Sequence, residues 1–303
     1  MNKIIIDNFD ISTFSNLLKE SLKTNNSSLM LQVKDGMIKS ASFSKTKSLI
    51  KLWQIPLNKL ILQESELETV DIDQNYLDSL DFNFYILKGD TFIKMLDVFL
   101  YKESLVNLEF NVIDNQATTL KLSGKTDQQY FIETTFPLTK EEIIIDKIDD
   151  YSEIISECTP SPDMFEFFLT KEYINNIKKL VKNLHQASVD NSAYLSFSVS
   201  KTSIKIFDKV FDIDLPNLQN KGFDDNKVLN FNILKSDFGL IGEHNYNVST
   251  DNESQKVIFN GTFAKSIVCC LCTKPSHNQL TIESDEDDVL SSFDPSLYNF
   301  DEY

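Results

Sequence analysis

Apolar positions recur along this chain with two alternating periods, and the alternation divides it into two similar halves. At 100° per residue, Ile11, Phe14, Leu17, Leu18 and Leu22 fall on one helical face, leaving Asn16, Lys19 and Lys23 outside. A polar turn, Asn26-Ser27-Ser28, leads into a period-two stretch, Leu29–Ser44, that doubles back at Asp35-Gly36. Residues 82–90, FNFYILKGD, read as a strand that meets a Gly-Asp helix start. The helix predicted over Asp90–Tyr101 turns Phe92, Met95, Leu96 and Phe99 inward and Lys94 outward. Later, a helix within Lys171–Gln186 buries Ile174, Ile177, Leu180, Val181 and Leu184. Lys179 and Lys182 fall nearly opposite, beside Asn175 and Gln186. A second polar turn, Asn191-Ser192-Ala193, and a hairpin over Tyr194–Phe207 precede residues 229–237, LNFNILKSD, where Lys235 opens a fourth helix.

FNFYILKGD and LNFNILKSD share six of nine residues, and their surroundings agree. Phe110-Asn111-Val112 corresponds to Tyr246-Asn247-Val248, and Gly124 in LKLSGK matches Gly261 in VIFNGT. Each half therefore runs helix, strands, helix, strands, which is a duplicated α+β domain. The first half carries about 18 extra residues, most easily placed in Leu57–Leu80. The expected organisation is a domain over 1–139, a connector over 140–163, a second domain over 164–275 and a tail over 276–303.

Composition changes this picture in three ways. All 29 basic residues are lysines, so bidentate guanine readout and an arginine finger are excluded within this chain. The seven glycines form neither GxxxxGK[ST] nor GxGxxG, which excludes the common phosphate-cradling loops. The net charge is −17, and it is uneven: residues 276–303 carry eight acids and no lysine, and 140–163 carry eight acids against two lysines. These segments read as solvated connector and tail.

Cofactor and enzyme chemistry find little purchase. Ser266–Thr273 reads as a buried strand with Cys270 and Cys272 on one face and Cys269 on the other. With His277 the spacing matches no common zinc pattern, so these thiols are expected to pack as small hydrophobes, and no metal or cofactor is expected. Acidic pairs such as Glu141-Glu142 and Asp287-Asp288 lack a neighbour to separate their pKa values, and His185, His244 and His277 are scattered. No apolar run reaches the roughly 20 residues of a membrane span, and MNKIIIDNFD is too briefly apolar for a signal peptide. The chain reads as soluble, intracellular and non-enzymatic.

The duplicated pattern, with FNFYILKGD and LNFNILKSD followed by strand pairs ending at FIETTF and SIVCCL, resembles the sliding DNA clamps over about residues 3–274. Within them it is similar to the two-domain type found in tailed phages and as proliferating cell nuclear antigen. That resemblance implies a head-to-tail homotrimer encircling duplex DNA without reading sequence, in the cytoplasm of an infected host cell for the phage type. It implies a DNA polymerase as the tethered partner, a separate ATPase as clamp loader, and an apolar groove near the connector for partner peptides. Lys19, Lys23, Lys94, Lys179, Lys182 and Lys235 stand at the matching helix positions and would contact phosphates as point charges. The tail alternates Phe293, Tyr298, Phe300 and Tyr303 with acids, similar to the short peptides that clamps receive from partners. The competing reading is an acidic, non-enzymatic interaction protein, either a DNA mimic or a virion structural subunit. A mimic has no reason to gather lysines on four corresponding helices.

Overall fold

The computed structural model describes residues 2–24, 28–62, 73–100, 106–125, 130–140, 154–156, 158–185, 193–216, 220–251, 255–261 and 266–272. The first half runs β1 (Asn2–Phe9), α1 (Ile11–Leu22), β2 (Leu29–Lys34), β3 (Met37–Phe43), β4 (Leu49–Pro56) and α2 (Gln74–Ser79). It continues with β5 (Asp81–Ile86), α3 (Gly89–Asp97), β6 (Val106–Ile113), β7 (Gln116–Lys125) and β8 (Phe131–Pro137). The second half runs β9 (Phe165–Leu169), α4 (Lys171–His185), β10 (Tyr194–Val199), β11 (Ser203–Phe207), β12 (Asp212–Pro216) and β13 (Leu229–Leu234). It closes with α5 (Lys235–Leu240), β14 (Tyr246–Thr250), β15 (Lys256–Gly261) and β16 (Ile267–Leu271). Apart from α2 and a 3-10 turn at Leu57–Leu60, the two orders are the same among the described residues.

Pairing repeats as well. β1-β6-β7-β8 and β5-β2-β3-β4 have their counterparts in β9-β14-β15-β16 and β13-β10-β11-β12, all antiparallel. The halves join where β4 pairs antiparallel with β16, from Leu52 opposite Ile267 to Leu49 opposite Cys270. The ladder corrects one detail of the repeat. Gly124 faces Val106 and Gly261 faces Tyr246, so Tyr246-Asn247-Val248 corresponds to Val106-Asn107-Leu108 and not to Phe110-Asn111-Val112. A shift of four preserves the inward-outward alternation of a strand, so periodicity could not detect it.

Local chemistry explains the elements. The turn between β2 and β3 places both Asp35 (φ 53°) and Gly36 (φ 67°) in the left-handed region, the geometry a two-residue hairpin requires. A Cβ on Gly36 would also lie 2.2 Å from the Asp78 carboxylate of α2. Gly36→Ala is expected to lower stability by about 1–2 kcal/mol, read as a shift in the urea midpoint at constant slope. Asp10 caps α1 by accepting from the Thr13 amide at 3.0 Å. Asp237, in the first turn of α5, accepts a hydrogen bond across the seam from the Ser48 hydroxyl of the other half.

Two cores lie between helices and sheets, one per half. Phe84 and Phe231, identical in the repeat, sit at their centres: Phe84 meets Phe110 at 5.2 Å and Phe231 stacks on Phe197 at 5.0 Å. The predicted inward face of α1 is buried throughout. In α3 Ile93 is buried while Met95 is only partly so, and the helix stops at Asp97 rather than near 101. In α4 Ile174 and Ile177 are buried, but Leu180 is 36% exposed, and the side chain of Leu184 lies outside the described residues. The cysteine strand behaves as expected: Cys270 and Cys272 enter the second core and Cys269 faces the opposite side.

The insertion between β4 and β5 has a structural task. Leu62 donates its amide to Asn8 at 2.7 Å, and the Tyr76 hydroxyl of α2 donates to the Ile5 carbonyl at 3.3 Å, which covers the outer edge of β1. Lys221 covers the equivalent edge of β9 through an isolated bridge to Glu166. Among the described residues β8 and β12, the counterparts of β16 and β4, each pair on one side only.

Candidate nucleic-acid interface

The helices form one layer that continues across the seam. Lys19 of α1 reaches Asp97 of α3 at 3.1 Å, and Lys178 of α4 donates to the carbonyl of Ile241, just past α5. Lys51 of β4 donates to the backbone carbonyl of Leu240 at 3.4 Å, so the C-terminal ends of α1 and α5 meet there. The six lysines expected on this layer fare differently. Lys94, Lys179 and Lys182 are exposed and make no ion pair among the described residues. Lys19 shares its charge with Asp97, and Lys23 pairs with Glu20 at 2.5 Å.

Lys235 departs from expectation. Its side chain is 11% exposed and ion-pairs with Asp208, itself 3% exposed, at 2.5 Å. Burial alone would raise the Asp208 carboxyl, but the Lys235 ammonium and the amides of Val210 and Phe211 outweigh it and hold the group below its ordinary value. Lys235 thus fastens the turn between β11 and β12 to the start of α5. The tail aromatics Phe293, Tyr298, Phe300 and Tyr303 lie outside the described residues.

Sequence reasoning missed a charged cluster at the seam. Lys51, only 4% exposed, pairs with Glu20 at 2.9 Å and donates to the Glu20 carbonyl at 3.0 Å. Burial would raise the Glu20 carboxyl, yet the ammonium groups of Lys51 and Lys23 prevail and hold it at about 2. Burial pulls Lys51 down against the attraction of Glu20, and it pulls Lys178 down to about 8, with Lys23 and Lys51 nearby and Glu243 opposing. The Trp53 indole donates to Ser21 at 2.6 Å beneath this cluster. One signal was available: Leu49, Lys51, Trp53 and Ile55 share the inward parity of β4, so a lysine interrupts an otherwise apolar face.

The opposite, outer face carries a third apolar cluster. Met30, Leu52, Tyr85, Ile258, Ile267 and Cys269 form it, and Cys158, Ile154 and Ile155 of the connector lie over it. Where β3, β4 and β16 meet, Leu52, Ile267 and Ile155 line a shallow recess with Lys39 at its rim. Here the connector covers an apolar face of the sheet that no single strand predicts.

No protein-family model matches the sequence, and no curated protein matches it. Solved structures do. The proliferating cellular nuclear antigen from Entamoeba histolytica superposes with a TM-score of 0.61 at 10% identity, over 89% of this chain and 98% of that one. The PCNA2–PCNA3 complex from Sulfolobus tokodaii gives 0.56 at 11% identity, over 89% and 99%. Both are of the proliferating-cell nuclear antigen type, which supports that part of the resemblance and not the tailed-phage part. At such low identity the shared feature is the fold. A duplicated βαββββαβββ chain with its helices in one layer, joined through β4 and β16, has the two-domain fold of the PCNA sliding clamps.

Proposed function

We propose that this chain is a sliding clamp that closes head to tail into a homotrimeric ring around duplex DNA and tethers a DNA polymerase. A separate ATPase loads it. The observation that carries this reading is the pair of open, unlike edges. β16 and β4 already join within the chain, and among the described residues their counterparts β8 and β12 each keep one edge unpaired. Each free end also exposes apolar side chains: Tyr130 (66%) and Phe131 (63%) beside β8, and Val210 (42%) beside β12. Two such ends on one chain make a heterologous contact, which closes when the rotation per subunit divides a full turn. Pairing them also removes the edges that otherwise invite aggregation.

In the ring the helix layer faces DNA, and Lys94, Lys179 and Lys182 supply weak, sequence-independent contacts with phosphates. Lys19 and Lys23 contribute less because acids share their charge, and Lys235 contributes through structure. A net charge of −17 is compatible with encircling DNA because topology, not affinity, retains the ring.

The decisive experiment is polymerase extension on primed circular DNA with a loader, with and without the protein. Longer products per binding event support the clamp, and unchanged lengths with a competent loader refute it. A DNA mimic would instead inhibit DNA-binding proteins on linear and circular templates alike. Lys179→Glu with Lys182→Glu is expected to shorten products several-fold and to flatten the salt dependence of sliding. Lys235→Gln is expected to lower the melting temperature and leave that salt dependence unchanged.

A further inference from the structure

Lys178 stands apart from its neighbours on α4. Lys179 and Lys182 are exposed, whereas Lys178 is half-buried and donates to the Ile241 carbonyl. Two successive carbonyls at the C-terminal end of α5 are thus held by lysines from remote segments, Leu240 by Lys51 of β4 and Ile241 by Lys178. Lys23 of α1 adds a third ammonium group to the same field. Glu20 is already engaged by Lys51 at 2.9 Å and by Lys23 at 2.5 Å, so Glu243, on the turn after α5, is the main acid opposing this positive charge at Lys178. His244 of that turn is held below its ordinary value, chiefly by burial, and is neutral at pH 7. Burial and neighbouring like charge both disfavour an ammonium ion, and together they turn a lysine into a nucleophile near neutral pH.

We propose that Lys178 is a modification site, its Nζ taking an acyl group from small acyl phosphates whose phosphate is attracted by the ammonium groups of Lys23 and Lys51. The lone pair of the neutral amine attacks the carbonyl carbon. The bond from that carbon to the bridging phosphate oxygen breaks, and phosphate leaves with the electron pair. The nitrogen releases one proton to solvent, so the products are an amide and inorganic phosphate. A neutral amine keeps donating to the Ile241 carbonyl with one hydrogen while its lone pair turns outward. Burial brings Lys178 down to about 8, so at pH 7.5 roughly a quarter of it is free amine, against roughly a thousandth of an ordinary lysine. Lower basicity also weakens a nucleophile, which offsets part of this advantage. Acylation removes one positive charge from the helix layer and leaves Lys51 as the ammonium group at the end of α5.

The test needs no DNA or polymerase. The full chain is treated with acetyl phosphate at pH 7.5, and acetylation is followed at each lysine by peptide mass spectrometry. Lys178 is expected to react about tenfold faster than Lys179 or Lys182. Its rate should level off above about pH 8, while theirs keeps rising. Lys23→Met removes a neighbouring cation and should slow Lys178 several-fold, whereas Glu243→Gln removes the opposing acid and should speed it. Both positions are exposed, and unchanged melting curves would show the fold intact. p-Nitrophenyl acetate, which carries no phosphate, should favour Lys178 less than acetyl phosphate does. Equal rates at Lys178, Lys179 and Lys182, or no opposite response to the two substitutions, would overturn the site. An equal preference with the neutral ester would overturn acyl phosphates as its reagent.

Discussion

Glu20→Gln is expected to cost about 3–5 kcal/mol, because it strands the Lys51 ammonium at the seam with only carbonyl partners. Lys51 is 4% exposed and Glu20 is its carboxylate partner at 2.9 Å, so no water can replace the lost charge at comparable strength. The companion change separates this mechanism from simple loss of packing. Lys51→Met alone leaves Glu20 next to Lys23 and partly solvated, and is expected to cost less. The double variant should recover most of the loss, which a double-mutant cycle by urea unfolding measures directly. Acid should reproduce the effect without mutation. The folded carboxyl sits at about 2 against an ordinary 4.5, so its contribution is complete above about pH 4.5 and fades as pH falls toward 2. The Glu20→Gln protein should lack that part of the acid limb. Because Lys51 also holds the Leu240 carbonyl, the loss should show in the junction of the two halves as well as in α1.

Charging either unpaired edge should abolish the proposed ring. Phe131→Asp at β8 or Val210→Asp at β12 places a carboxylate on an apolar contact, and each is expected to lower the molar mass by light scattering from about three times 34.8 kDa to 34.8 kDa. Both side chains are exposed in the single chain, at 63% and 42%, so neither substitution should disturb the fold itself. Unchanged melting at protomer-scale mass, together with lost processivity, is the expected pattern. Retention of the higher mass by both variants would place the interface elsewhere.

The helices and most strands were legible in the sequence because each has one wet and one dry face, and that contrast is periodic. The face of α1, the hairpin at Asp35-Gly36 and the parity of Cys269 against Cys270 and Cys272 all follow from spacing alone. Periodicity is blind to shifts that preserve parity, which is why the counterpart of Tyr246-Asn247-Val248 was displaced by four residues until the ladder was known. It is also blind to partners. Lys235 and Lys179 look alike on a helical wheel, yet one is held by Asp208 from a turn 27 positions upstream and the other faces solvent.

The sequence by itself determined the duplication, the two cores and the concentration of acid in the connector and tail, since all three depend on composition and on order along the chain. Tertiary structure alone decided which charges are available and where the halves meet. Lys51, Glu20 and Lys178 converge from a strand and two helices that are remote in sequence, and the recess exists only where β4, β16 and the connector come together. Ion pairs and apolar grooves are made by chain segments from different places. A linear pattern holds the residues but not the distances that give them their energy.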